Sequence, residues 1–382
     1  MVKVKKQNVK AGESKPANQP PRSVPKRIAF AVLAVSLILI CLEGLLSVVW
    51  VAIDLGSILG KGPRVEILRE EYHCEYDKEL GWVNRPGVKL DSFYGKGRSI
   101  SINANGLRGQ TDLSGERPAS TFRTVCLGDS FTLGYGVDDP DTFPHQLQRL
   151  AGPGHETANM GQGGYSVGQS YLWLKRLGPE LKPDLVVCVF IVEDFRRLLV
   201  QRTANGFATP QFSVEGSQLV VSGIPVAEKL SKGSLLLRQG EVAGAMQKSS
   251  ALVRTLGKFI PSSPTPGDEE AMFIGLHILK EIATVCREIE CPVVLVLTPT
   301  LPELFDAPAI SRYEGVSRVL AQFADQESIP YSDLRPAFMN EENHSDLFLD
   351  EAFFHYSPSG NAIVARELHE WLPLIVPSFQ KL

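Results

Sequence analysis

The sequence predicts an α/β fold in which a mostly parallel, five-stranded sheet is covered by helices on both faces and is preceded by one transmembrane helix. Three observations carry this. Five short apolar runs without polar alternation lie at 123–127, 157–160, 185–192, 292–297 and 329–331. Amphipathic stretches at 143–150, 168–177, 271–288 and 313–327 separate them. Strands buried on both faces lose the alternation of a half-exposed sheet, and intervening helices supply the crossovers that parallel pairing needs. The third observation is a single long apolar run near the N-terminus, at 28–53.

Residues 1–27 carry eight Lys or Arg against one acid, Glu13, amid Pro, Asn, Ser and Gly. Such a composition buries no core, so a disordered basic tail is expected. In the run at 28–53, about 20 apolar residues at 1.5 Å each span a bilayer core. The basic flank on its N-terminal side predicts a cytoplasmic N-terminus and an extracytoplasmic remainder. A cleaved signal peptide is the rival, but the run is long for one and no Ala-x-Ala site follows. A buried soluble helix is the third reading. Glu43 inside this run is costly in lipid unless it lies near the interface or is paired.

Residues 54–118 are mixed and polar. The stretch 99–103 alternates like a short strand and ends at Asn105-Gly106, so a β-containing juxtamembrane segment is expected. Residues 119–382 form the main domain. Its rhythm breaks at 205–270, where an insertion is expected, with loop at 261–267. A net charge of −4 gives no basis for nucleic-acid binding. Six cysteines lack C-x-x-C or Cys/His metal spacing, and neither a metal nor a cofactor is expected. Cys126 and Cys188 read as core residues; a disulfide among Cys74, Cys286 and Cys291 is left open.

The strongest local signal is Gly128-Asp129-Ser130-Phe131-Thr132-Leu133-Gly134-Tyr135-Gly136, directly after a strand and before a helix. Open α/β sheets place their sites at strand carboxyl ends. A serine there sits beside free helix-terminal N–H groups able to stabilise an oxyanion. A serine hydroxyl needs a base, and histidine is the usual one near neutral pH. Of the seven histidines, His355 stands before the final helix, whereas His145, His277 and His369 fall in helix-like surface stretches. A Gly-rich turn with a capping serine is the bland alternative.

These residues resemble the SGNH/GDSL hydrolase family, in its membrane-anchored bacterial form. The 128–136 stretch is similar to the family's block I, Asn159-x-Gly161-x-x-Gly164-Tyr165 to block II, and His355-Tyr356-Ser357-Pro358-Ser359-Gly360-Asn361 to block V. The segment 102–109 also resembles one common in anchored members. The resemblance covers about 100–382 and implies a three-layer α/β/α sandwich. It implies Ser130 as nucleophile, His355 as base and the Gly164 N–H as an oxyanion donor. Two positions depart from the pattern. Ala352 stands where the family has Asp three residues before the histidine, leaving Asp350 as the expected orienting acid, or else a Ser–His dyad. Glu193 stands where the family has an oxyanion-donating Asn. An ionised carboxylate donates nothing, which leaves the Ser130 and Gly164 N–H groups to carry the oxyanion unless Glu193 is protonated. Glu193 can also turn to solvent or to Arg196 or Arg197, and the bland alternative is a polar residue at a strand end outside the oxyanion position.

The function expected is a serine esterase acting on ester-linked acyl groups, with O-acyl groups of a cell-envelope carbohydrate as the substrate that location and family suggest. A lipase acting on phospholipid is a further enzymatic reading. The alternative from another class is a non-catalytic module of this fold that binds glycan or scaffolds an envelope assembly.

Overall fold

The computed structural model describes residues 24–60, 72–203, 206–228, 267–352 and 355–380. The first helix, α1 (Val24–Gly60), starts four residues before the expected boundary. Within it, Ile28–Val49 has a mean hydropathy of 2.6 and none of it is buried against the rest of the chain, so it is long and apolar enough to cross a membrane. The Ser47 hydroxyl donates to Glu43 at 3.3 Å, which gives the carboxyl a polar partner on its own helix. The basic tail at 1–23 and the greater part of the expected insertion, 229–266, lie outside the described residues.

The central sheet contains β5 (Phe122–Gly128), β6 (His155–Gly161), β7 (Leu185–Phe190), β10 (Val293–Leu297) and β11 (Tyr331–Asp333). Its order is β11-β10-β7-β5-β6, and every pairing is parallel. Alternate residues of each inner strand enter different cores. Val186, Cys188 and Phe190 pack with residues of α4 (Val167–Leu181), α6 (Asp268–Glu288) and α7 (Ala307–Glu327). Leu185, Val187 and Val189 pack with residues of α3 (Phe143–Ala151) and α8 (Pro358–Ile375). Both faces are therefore apolar, and this is why these strands read as unbroken hydrophobic runs. The result is a three-layer α/β/α sandwich.

The chain leaves β5 for β6 on one side, then returns to place β7 on the other. That reversal opens a crevice at the carboxyl end of β5, where open α/β sheets bind ligands. The run expected to be strand through residue 192 ends at Phe190. The Asp194 carboxylate accepts the Ile191 N–H at 3.1 Å, and a short helix, α5 (Val192–Arg196), begins there. The last strand lies two residues later than expected, because Ile329 still closes the preceding helix by donating to the Ala324 carbonyl. Beyond α5, β8 (Gln211–Glu215) and β9 (Gln218–Ser222) form an antiparallel hairpin at the start of the expected insertion. All six cysteines are free, Cys74, Cys286 and Cys291 included.

The segment 72–118 packs onto the sheet domain. Its β1 (Cys74–Asp77) and β2 (Gly81–Asn84) pair antiparallel, and Leu80, Trp82 and Leu107 enter the same core as Val125 and Leu127 of β5. The expected strand at 99–103 is reduced to β4 (Ile100–Ser101), paired with β3 (Lys89–Leu90). Arg108 is the main tie. Its guanidinium donates to the carbonyls of Leu133, Gly134, Val137 and Ser99 and to Asp139. With Arg108 and Asp139 only 1% and 5% exposed, losing either leaves an uncompensated buried charge, a cost of roughly 3–5 kcal/mol. One side chain before the sheet thus fixes the loop that follows the nucleophile candidate.

Candidate active site

Ser130 lies two residues beyond the end of β5, as the first residue of the single-turn helix α2 (Ser130–Leu133). Asp129 caps this helix, its carboxylate accepting the Phe131 N–H at 2.9 Å. The first N–H groups of a helix have no intrahelical acceptor, so the Ser130 amide is left available at the crevice. The turn fits because neighbouring backbones approach closely. A Cβ on Gly161 would lie 2.1 Å from the Leu133 nitrogen.

His355 comes from the opposite end of the sequence. It pairs with Leu349 in the two-residue ladder of β13 (His355–Tyr356) with β12 (Phe348–Leu349), just before α8. Its Nε2 is 2.7 Å from Ser130 Oγ, a full hydrogen bond between residues 225 apart in sequence. Ser130 Oγ also lies 3.3 Å from Asp129 Oδ2; the shorter contact is the one to the base. The Phe131 ring stacks on the imidazole at 4.6 Å, and Tyr135 lies at 5.0 Å. Burial under these rings holds the His355 pKa below its ordinary value, against the opposing pull of the Ala352 carbonyl and Asp129. The imidazole is therefore neutral near pH 7, the state that accepts a serine proton.

The partner of the other ring nitrogen differs from the carboxylate that sequence led us to expect. His355 Nδ1 lies 2.5 Å from the backbone carbonyl oxygen of Ala352. Asp350 is exposed, on a shallow cleft lined by Leu301, Phe305, His344, Ser345 and Phe348. Residues Asp350–Ala352 form one tight helical turn, and its last carbonyl is what the imidazole meets three residues on. A carbonyl accepts only from Nδ1–H, so this bond places the lone pair on Nε2, toward Ser130.

Gly164 lies three residues beyond β6, with φ +76°, a left-handed conformation that glycine adopts without strain. The loop carrying it is braced from 72–118. Trp82 Nε1 donates to the Gly163 carbonyl at 3.0 Å, and Asn84 Nδ2 to that of Gly161 at 3.3 Å. The Tyr165 hydroxyl donates back to the Trp82 carbonyl. Asn159 is buried and structural, accepting the Gly161 N–H at 3.0 Å.

Glu193, in α5, turns outward. Its side chain is 48% exposed and pairs at 2.9 Å with Arg196, which also holds Asp268. Arg197, the next residue, turns inward. Its Nη1 lies 2.9 Å from Asp129 Oδ2, 2.5 Å from Asp194 Oδ1 and 3.0 Å from the Tyr165 carbonyl. Burial and the nearby Asp129 push the Asp194 carboxyl well above the usual carboxylate range. Two carboxylates here share one cation, so the pair favours a retained proton. Sequence reasoning passed over Trp82 and assigned Arg197 no site role. Arg108 stood in a motif but with no function attached. No local spacing marks any of the three, because each acts on loops far away in sequence.

Residues 126–363, more than half of the chain, match the profile of the GDSL-like Lipase/Acylhydrolase family. The chain belongs to that family, and at this level it is a hydrolase by fold. No curated protein sequence matches it. Among solved structures it is similar to a putative lipolytic protein of the G-D-S-L family from Desulfitobacterium hafniense DCB-2, at 13% identity and TM-score 0.39, covering 65% of this chain and 99% of that one. It is also similar to a lipolytic protein G-D-S-L family member from Veillonella parvula DSM 2008, at 11% identity and TM-score 0.40, covering 66% and 98%. A third is a carbohydrate acetylesterase family member from Sinorhizobium meliloti, at 12% identity and TM-score 0.39, covering 69% and 100%.

Proposed function

We propose that the protein is a serine esterase in which Ser130 is the nucleophile and His355 the general base. The observation that supports this most is the 2.7 Å contact between Ser130 Oγ and His355 Nε2, with Nδ1 held by a backbone acceptor. In the proposed reaction His355 takes the Ser130 proton as Oγ bonds to the acyl carbonyl carbon. The Ser130 and Gly164 N–H groups receive the charge that develops on oxygen. Collapse breaks the ester C–O bond, and His355 returns the proton to the departing alcohol. Water, deprotonated by the same imidazole, then releases the acyl group and regenerates Ser130. The substrate class we propose is an O-acylated carbohydrate of the cell envelope. What supports it is an apolar helix at Ile28–Val49 whose basic N-terminal flank favours an orientation with the hydrolase domain outside the cytoplasm.

The test is to treat the full-length protein in detergent with a fluorophosphonate probe, which labels only an activated serine. Wild type should label at Ser130, whereas Ser130→Ala and His355→Ala should lose labelling and nearly all hydrolysis of p-nitrophenyl acetate. As parts of one unit, the two substitutions combined should be little worse than either alone. An unlabelled wild-type protein would instead support a non-catalytic binding module. Orientation has its own readout. A phosphatase fused after Leu382 should be active in intact cells, and an inactive phosphatase beside a fluorescent cytoplasmic reporter at the same site would reverse the topology.

A further inference from the structure

We propose that Arg197 is the positioning residue that locks the nucleophile turn, the Gly164 loop and α5 into a single oxyanion-binding geometry; this rests on the esterase reading above. The bonds of its Nη1 reach three separate pieces of chain. Asp129 immediately precedes Ser130, and its Oδ2 accepts from Arg197 at 2.9 Å while lying 3.3 Å from Ser130 Oγ. Tyr165 immediately follows Gly164, and its carbonyl accepts at 3.0 Å. Asp194 accepts at 2.5 Å and, through its other oxygen, fixes the Ile191 N–H where β7 passes into α5. The two N–H groups proposed to receive the oxyanion, those of Ser130 and Gly164, are each one residue from an Arg197 acceptor.

The arrangement is built from buried charge. The Asp129 and Asp194 side chains are 1% and 2% exposed, and Arg197 itself is 22% exposed. Without the guanidinium, two buried carboxyl groups face each other unneutralised and the loops they belong to lose their common partner. The same guanidinium explains why an outward Glu193 is tolerated. The side chain that links α5 to the site is that of Arg197, four residues further on, and Glu193 is left to pair with Arg196 at the rim. Oxyanion donors must sit within a few tenths of an ångström of their place, and a misplacement of about 1 Å costs on the order of 10²-fold in rate.

The experiment compares wild type, Arg197→Ala, Arg197→Lys and the double variant Arg197→Gln/Asp194→Asn, all full-length in detergent. The double variant removes the cation together with one carboxyl, so that Asp129 alone, rather than two facing carboxyls, is left without its partner should Arg197→Ala fail to fold. We expect kcat for p-nitrophenyl acetate to fall by on the order of 10² in Arg197→Ala and in the double variant, with KM changed by less than about threefold. Added methylguanidine should restore at least about tenfold in Arg197→Ala, and Arg197→Lys should retain intermediate turnover. Turnover within about threefold of wild type in either folded variant overturns the assignment. So does a loss that affects kcat and KM alike with no response to methylguanidine or lysine, the pattern of a general structural role. Failure of the esterase reading looks different: wild-type Ser130 itself is then not labelled by the fluorophosphonate.

Discussion

Replacing Asp350 by Asn should leave the enzyme almost fully active, although sequence marks Asp350 as the acid behind His355. In a triad the buried carboxylate fixes the tautomer and stabilises the imidazolium, and its loss costs about 10⁴ in kcat. Here the first of those tasks is met by the Ala352 carbonyl, 2.5 Å from Nδ1. Only the charge of Asp350 is left to matter, and Asp350 is exposed. Acting through water rather than by contact, a unit charge contributes on the order of 0.5 kcal/mol, a factor of two to three. Asp350→Asn should therefore cost no more than about threefold in kcat for p-nitrophenyl acetate. The pH profile checks the same geometry. Burial lowers the His355 pKa below 6.5, and the base works only when neutral. Activity should thus rise with pH through a midpoint under 6.5 and be level above pH 7, unchanged in Asp350→Asn. A loss of 10²-fold or more in Asp350→Asn, with thermal unfolding unaltered, would show that the carboxylate reaches the imidazole during turnover and would refute this account.

Two further substitutions test the surroundings of the site. Trp82→Phe keeps a ring to stack on Phe207 but removes the indole donor to Gly163, so turnover should fall about five- to tenfold with KM little changed; unaltered turnover would mean the Gly164 loop needs no brace. Glu193→Asn removes a half-exposed pair with Arg196, worth under about 1 kcal/mol once screened by solvent, and turnover should stay within about threefold; a tenfold rise would place residue 193 inside the oxyanion hole.

The sequence by itself determined the sheet and the candidate pair. Strands such as Leu185–Phe190 are buried on both faces, so they announce themselves as apolar runs whatever surrounds them. The turn at Gly128-Asp129-Ser130 is legible because close backbone approach demands glycine at fixed places, and His355 because it stands just before the helix that closes the chain. Boundaries were less legible. Ile191 and Val192 are as apolar as the strand before them, and only the Asp194 carboxylate bonding back to the Ile191 N–H ends it. What tertiary structure alone decided are the long-range partners. The acceptor for His355 Nδ1 is a backbone carbonyl, and a carbonyl carries no residue identity by which sequence can point to it. Neighbouring residues at the end of one short helix went opposite ways. Arg196 turned out to Glu193 and Asp268, while Arg197 turned in to Asp129 and Tyr165. Trp82, 81 residues before Gly163, came to hold its carbonyl. A flexible charged side chain or an indole N–H is assigned its partner by whatever the fold brings within 3 Å of it. That distance is a property of the packed molecule, with no counterpart in the spacing along the chain.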